Sequence, residues 1–194
     1  GEYREVSWDV ANTDNELVNC KLVNIRLSAD GGFTYPYTLL AETPNNGSAY
    51  VFVPDVAGNN MRIRVEAANN IFFDISDSNF SIAPATEPGY TYSLSSVFQE
   101  VCLPNTAMFE IETASVLGFA GTLDLDVISD LPEGLTASFS NSSIQAGEST
   151  DLTIDMNELF GFNGPLEIQF STTTEGQDPF IQSLYFEVID NDMS

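Results

Sequence analysis

Residues 61–67 read MRIRVEA. Met61, Ile63 and Val65 alternate with Arg62, Arg64 and Glu66, so one side of an extended segment is apolar and the other charged, as a half-buried strand requires. The same period of two recurs on both sides of it: EVSWDV (5–10), LVNIRLS (22–28), SAYVFVP (48–54), NIFFDI (70–75) and NFSIAP (79–84). Turn-forming clusters separate these runs: DGG (30–32), NNG (45–47), AGNN (57–60) and AANN (67–70). Short alternating strands with turn signals between them predict a β-sandwich. No stretch longer than two turns follows a helical period.

Further along, APATEPG (83–89) is a short, stiff, Pro-rich linker. Alternation resumes after it in YTYSLS (90–95), AMFEIET (107–113), GTLDLDVIS (121–129), LTASFS (135–140), STDLTID (149–155), PLEIQFS (165–171) and FIQSLYFEV (180–188). MNELF (156–160) is expected to form one helical turn crossing between sheets. The fold class that follows is all-β: two tandem immunoglobulin- or fibronectin-like antiparallel sandwiches, over residues 1–84 and 85–194. A length of 194 residues suits this division, and 43% hydrophobic content is ample for two packed cores. Trp8 is expected inside the first.

Charge narrows the partners. Of 29 carboxylates, 11 fall in residues 1–84 beside all five cations, Arg4, Lys21, Arg26, Arg62 and Arg64. The other 18 lie in residues 85–194, which contain no Lys or Arg. A net charge of −24 excludes nucleic acid and anionic membrane surfaces as partners. No apolar run approaches the ~18 residues that a membrane span needs. Such an acidic surface suits a secreted or cell-surface protein. Gly1 opens within an alternating run with no secretion leader before it, which reads as a piece of a longer chain. Cys20 and Cys102, one in each half, are either two thiols or one bridge between the halves.

The sequence has no histidine. That removes Ser-His-Asp and Cys-His triads, HExxH zinc sites and imidazole acid–base chemistry together. Lys21 sits in a polar turn, and no phosphate-cradling glycine motif opens a helix. Asp124 and Asp126 share one face of a strand, as do Glu110 and Glu112, but Leu123, Leu125 and Val127 claim the opposite face for the core and leave the aspartates to solvent. No catalytic residue is therefore assigned. No cofactor is expected; calcium is the one metal that Asp30, Asp74, Asp77, Asp190 and Asp192 would suit, and none of them has EF-hand spacing. For Asp30 the expectation is a tight hairpin corner, with glycines supplying positive φ; for Asp74 and Asp77 it is local side-chain-to-backbone bonding. Asn46, Asn79 and Asn141 head N-x-[ST] triplets, with Asn46-Gly47 read as a hairpin turn. The aromatic runs FTYPY (33–37), IFF (71–73) and YTY (90–92) could form stacking platforms for sugars.

VSWDVANTD (6–14), VNIRLSADGGFTYPYTLLAETPNNGSAYVFVPDV (23–56) and RIRVEAANNIFFDISDSNFSI (62–82) together resemble a module that lies downstream of the catalytic domain in secreted bacterial reprolysin-like zinc metalloproteases. SVLGFAGTLDLDVISDLPEGLTASFSNSSIQAGESTDLTI (115–154) resembles the module that follows it there and in other extracellular hydrolases. The family's zinc-binding helix has no counterpart in these residues. What the resemblance implies is a non-catalytic C-terminal portion of a secreted peptidase, with a secretion-sorting tail beyond Ser194 and the parent catalytic domain as its partner in cis. The alternative, which the aromatic runs motivate, is a carbohydrate-binding or adhesive module of a cell-surface protein, with an extracellular protein or a polysaccharide as partner.

Overall fold

The computed structural model describes residues 2–190, which form sixteen strands and no helix. The chain divides into two compact units, Gly1–Ser93 with Ser115–Phe119, and Leu94–Ala114 with Ala120–Ser194. The all-β class expected from the alternation is what the chain adopts.

In the first unit the strands are β1 (Tyr3–Ser7), β2 (Leu22–Ser28), β3 (Tyr37–Pro44), β4 (Ser48–Phe52), β5 (Gly58–Ala67), β6 (Phe73–Ile75), β7 (Phe80–Ile82) and β8 (Gly89–Leu94). One sheet runs β3-β2-β5-β6, with β7 also paired to β5; the other is the two-stranded pair β1-β4. Val23, Ile25 and Leu27 alternate inward on β2, where Met61 of β5 and Val51 of β4 are also buried. Trp8 is half-buried and packs with Val65 and Phe72 on Cys20, Val23 and Ala67. Tyr90 and Tyr92 of β8 are buried, and their rings lie 5.6 and 6.0 Å from that of Phe52.

The second unit contains β9 (Phe98–Cys102), β10 (Thr106–Val116), β11 (Thr122–Val127), β12 (Thr136–Phe139), β13 (Ser143–Gln145), β14 (Ser149–Asp155), β15 (Gly164–Thr173) and β16 (Phe180–Ile189). One sheet contains the run β12-β14-β10, and the other has the order β13-β11-β15-β16-β9. Assigning β10, β14 and β12 as B, E and D, and β11, β15 and β16 as C, F and G, gives the strand neighbours of an immunoglobulin sandwich. Rings cross between the sheets: Phe109 meets Phe186 edge-on at 5.6 Å, and Phe139 meets Phe170 at 5.8 Å. Each such pair adds about 0.5–1.5 kcal/mol beyond the area it buries.

Several connections differ from the sequence reading. The Asp-Gly-Gly segment is not a tight hairpin turn: residues 29–36 form a longer loop between β2 and β3, with Gly31 and Gly32 at φ 82° and 97°. Asn46-Gly47 does not close a hairpin either, because β3 and β4 belong to different sheets. The chain changes sheet there because the buried Asn45 ties it down. Asn45 accepts from Trp8 Nε1 at 2.9 Å and donates to Thr13 Oγ1 at 2.9 Å and to the Cys20 carbonyl at 3.0 Å. MNELF carries a single reverse turn, Leu159 N to the Met156 carbonyl at 3.2 Å, rather than a helical turn. Cys20 is a buried thiol and Cys102 an exposed one, both unbridged.

Candidate functional site

The charged side of MRIRVEA builds a surface on the first sandwich. Register places Arg26 of β2 directly opposite Arg64 of β5, where two like charges on one face repel. Glu66 resolves the conflict by taking both: Arg26 Nε lies 2.5 Å from one of its carboxylate oxygens and Arg64 Nη2 lies 2.7 Å from the other. Arg62, next along the same face, donates to Asn79 Oδ1 at 2.6 Å and to the Ser76 carbonyl. Three of the five cations of an otherwise acidic chain thus share one sheet face.

Aromatic rings cover the middle of that face. The Arg64 guanidinium lies 4.3 Å from the centroid of the Tyr35 ring and 5.6 Å from that of Phe73. A cation over a ring contributes about 0.5–1 kcal/mol where exposed and about 2 where desolvated. Arg64 Nε and the Tyr35 hydroxyl are buried without a hydrogen-bond partner. Burial holds the Tyr35 hydroxyl above its ordinary pKa, against the opposing pull of Arg64 and Arg62. Outside the packed pair, Phe33 is 91% exposed and Phe73 57%. The site is therefore a cation beneath two rings, one of them the solvent-facing Phe73, with Phe33 exposed on the loop that carries Tyr35.

The Asp-Gly-Gly loop is the device that delivers Phe33 and Tyr35. Asp30 accepts from Thr34 Oγ1 at 2.6 Å, Thr34 N at 2.9 Å, Ser28 Oγ at 2.7 Å and Phe33 N at 3.0 Å. Its carboxyl is held well below the usual carboxylate range, chiefly by the Thr34 hydroxyl and then by the loop amides and Ser28. With its oxygens engaged by its own loop, Asp30 shapes the chain. A Cβ added to Gly32 would sit 3.0 Å from the Tyr35 hydroxyl, so the loop backbone lies directly on that ring.

The remaining carboxylates disperse. Asp74 accepts from the neighbouring Ile75 N at 2.9 Å on exposed β6, and Asp77 is exposed in the bend after it. Asp190 accepts from Gly161 N at 3.1 Å, while Asp192 lies outside the described residues. Among the described residues no three acidic or thiol side chains gather as a metal set. Asp124 and Asp126 project to solvent from β11, alternating with buried Leu123 and Leu125, and Ser143 Oγ donates to Asp124 at 2.6 Å. Glu110 and Glu112 are exposed on β10 in the same manner. Asn141 accepts from Ser143 N at 3.2 Å and Asn46 is exposed. Of the three aromatic runs, FTYPY and IFF supply the surface, whereas Tyr90 and Tyr92 of YTY are core. Sequence reasoning missed Arg64 as a site residue, although arginines alternating on one face of a strand in an acidic chain were the available signal.

No family model and no curated protein matches the chain. Among solved structures it is similar to domains 1–6 of the surface-layer protein SbsC, at 16% identity and a TM-score of 0.38, covering 96% of this chain and 21% of that one. It is also similar to a protein of unknown function from Porphyromonas gingivalis W83, at 13% identity and a TM-score of 0.35, covering 86% and 84%. The secreted serine protease VesC from Vibrio cholerae matches at 12% identity and a TM-score of 0.35, covering 87% and 46%. The chain spans about a fifth of the SbsC structure that it matches.

Proposed function

We propose that the chain is a non-catalytic accessory module pair of a secreted bacterial multi-domain protein, namely a zinc metalloprotease, and that the Arg64 face engages that enzyme's polypeptide substrate outside the cell. The observation that carries this reading is Arg64 packed against Tyr35 and the solvent-facing Phe73, with Phe33 exposed on the loop that carries Tyr35. A partly exposed guanidinium beside a solvent-facing phenyl group suits an acceptor-rich extended chain, whose oxygens would meet the cation and whose apolar side chains would lie on the ring. A sequence without histidine, and a resemblance to segments downstream of a peptidase domain, fit binding in service of a neighbouring catalytic domain. Retention of the chain on immobilised gelatin or casein, and its loss in Phe33→Ala, tests the proposal. Equal retention of the variant would refute it. Phe33 is the side chain to remove first, because at 91% exposure it contributes little to folding.

A second reading, carbohydrate binding, is favoured by the same exposed phenyl groups, which could stack on sugar rings. Retention on cellulose, chitin or alginate in place of the polypeptide probes would select it.

A further inference from the structure

Two asparagines of the chain are followed by glycine, Asn46-Gly47 and Asn163-Gly164. Asparagine is thermally labile, and most so before glycine, where no Cβ obstructs the next backbone nitrogen as it approaches the side-chain carbon Cγ. The fold treats the two pairs differently. Asn163 Oδ1 accepts from Asp190 N at 3.2 Å, and Gly164 opens β15 in register with Val188, so both reacting groups are held by their neighbours. Asn46 is exposed where the chain crosses between sheets. Among the described residues neither its carboxamide nor the Gly47 amide nitrogen has a hydrogen-bond partner. On one side Asn45 is fixed by Trp8, Thr13 and Cys20; on the other the Gly47 carbonyl accepts from Trp8 N at 2.8 Å. A free reactive pair is thus suspended between two anchors.

We propose that Asn46 is a site of spontaneous covalent modification in the folded protein, and that its isoaspartyl product loosens the first sandwich. The Gly47 nitrogen gives up its proton to hydroxide, and its lone pair forms a bond to Asn46 Cγ. The Cγ–Nδ2 bond breaks and ammonia leaves, closing a succinimide ring. Water then adds to either ring carbonyl. Addition at Cγ opens the ring to an ordinary aspartyl peptide, whereas addition at the main-chain carbonyl carbon routes the backbone through Cγ and gives an isoaspartyl one. Overall an amide and water become a carboxylate and ammonium, with no redox change and no enzyme. The isoaspartyl route inserts an extra carbon into the main chain between residues 46 and 47. Asn45 is pinned in the core, so the displacement falls on Gly47, whose carbonyl leaves Trp8 N and draws the start of β4 away from Ser7 of β1. The inference does not rest on the Arg64 face.

The test incubates the folded chain in mildly alkaline buffer and follows both pairs by peptide mapping and mass spectrometry, with the isoaspartyl form resolved by chromatography. Asn46 should convert at least about tenfold faster than Asn163, which must first release Asp190 N and unpair Gly164. In urea, where neither pair is held, the two rates should agree within about twofold. The first unit of the isoaspartyl fraction should melt lower by roughly 4 °C or more. Asn46→Gln, whose longer side chain closes the larger ring far more slowly, should keep its mass and its melting temperature through the incubation. Asn46→Asp adds the charge without lengthening the chain, and should melt with the fresh protein. Equal rates at Asn46 and Asn163 in the folded chain would overturn the assignment, as would an Asn46 that stays intact there while both convert in urea. An isoaspartyl fraction that melts with the fresh protein, or Asn46→Asp melting as low as that fraction, would overturn the loosening.

Discussion

Gly134 sits in the turn LPEG, between β11 and β12, at φ 87°. A Cβ built there would lie 2.0 Å from the Glu158 carbonyl oxygen and 2.6 Å from its carbon, both backbone atoms of the turn after β14. Gly147, at φ 102°, has nothing within 4 Å of the same position. The two glycines thus separate conformational strain from steric exclusion. Gly147→Ala should cost only the left-handed backbone penalty, about 1–2 kcal/mol. Gly134→Ala carries that penalty and must also drive two turns apart, uncovering buried Leu135 and Leu159 on either side of the contact. Partial exposure of those leucines and loss of their packing bring its cost to roughly 3–5 kcal/mol. Urea unfolding followed by circular dichroism reads the difference as a lower midpoint for the second unit's transition. Two variants within about 1 kcal/mol of each other would show that the contact between the turns does not form.

Three further outcomes follow from the geometry. Asn45→Ala should destabilise the first unit by about 2–4 kcal/mol, because it strands the Trp8 indole N–H and the Cys20 carbonyl; a fluorescence melt unchanged from wild type would contradict the network. Cys102, exposed, should react with a thiol reagent at once, while buried Cys20, whose thiol is pushed up by desolvation, should react only on unfolding. A single fast phase for both would be inconsistent with this burial. Asp30 has a folded pKa below its unfolded value. Its contribution to stability is therefore full above the ordinary carboxylate range near 3.9 and is lost as pH falls towards the depressed folded value. Carbon-detected NMR titration should find it still ionised where exposed aspartates protonate, and an ordinary midpoint would mean that the loop bonds to Ser28, Phe33 and Thr34 are absent in solution.

How far the sequence could be read depended on what each residue was doing. MRIRVEA and LVNIRLS announced β5 and β2 because their alternation matches the two faces of one sheet. TYPYTLLAETP did not announce β3. The strand carries register irregularities against β2, and Glu42 sits at φ 56° with its amide on Asn24 Oδ1, so period two is broken within it. FQEVC and SIQ are short outer strands whose partners, not their own pattern, hold them in place. Asn45 lay inside a turn signal, and a turn residue that enters the core looks the same in sequence as one facing water. The aromatic runs divided for a similar reason: nothing local tells Tyr90, packed near Phe52, from Phe33, which faces solvent. The cation-and-ring surface depends on Tyr35 and Phe73 arriving from opposite sides of β5, and that is a property of strand order.

The central claim, that the chain binds through the Arg64 face and leaves chemistry to its neighbours, is tested most directly by retention of the isolated chain on immobilised gelatin and casein, with cleavage followed in the same samples. The account predicts retention of the wild-type chain, about tenfold weaker retention of Phe33→Ala and of Arg64→Ala, and uncut probe throughout. Equal retention of both variants, or cleavage of either probe by the chain alone, would contradict it.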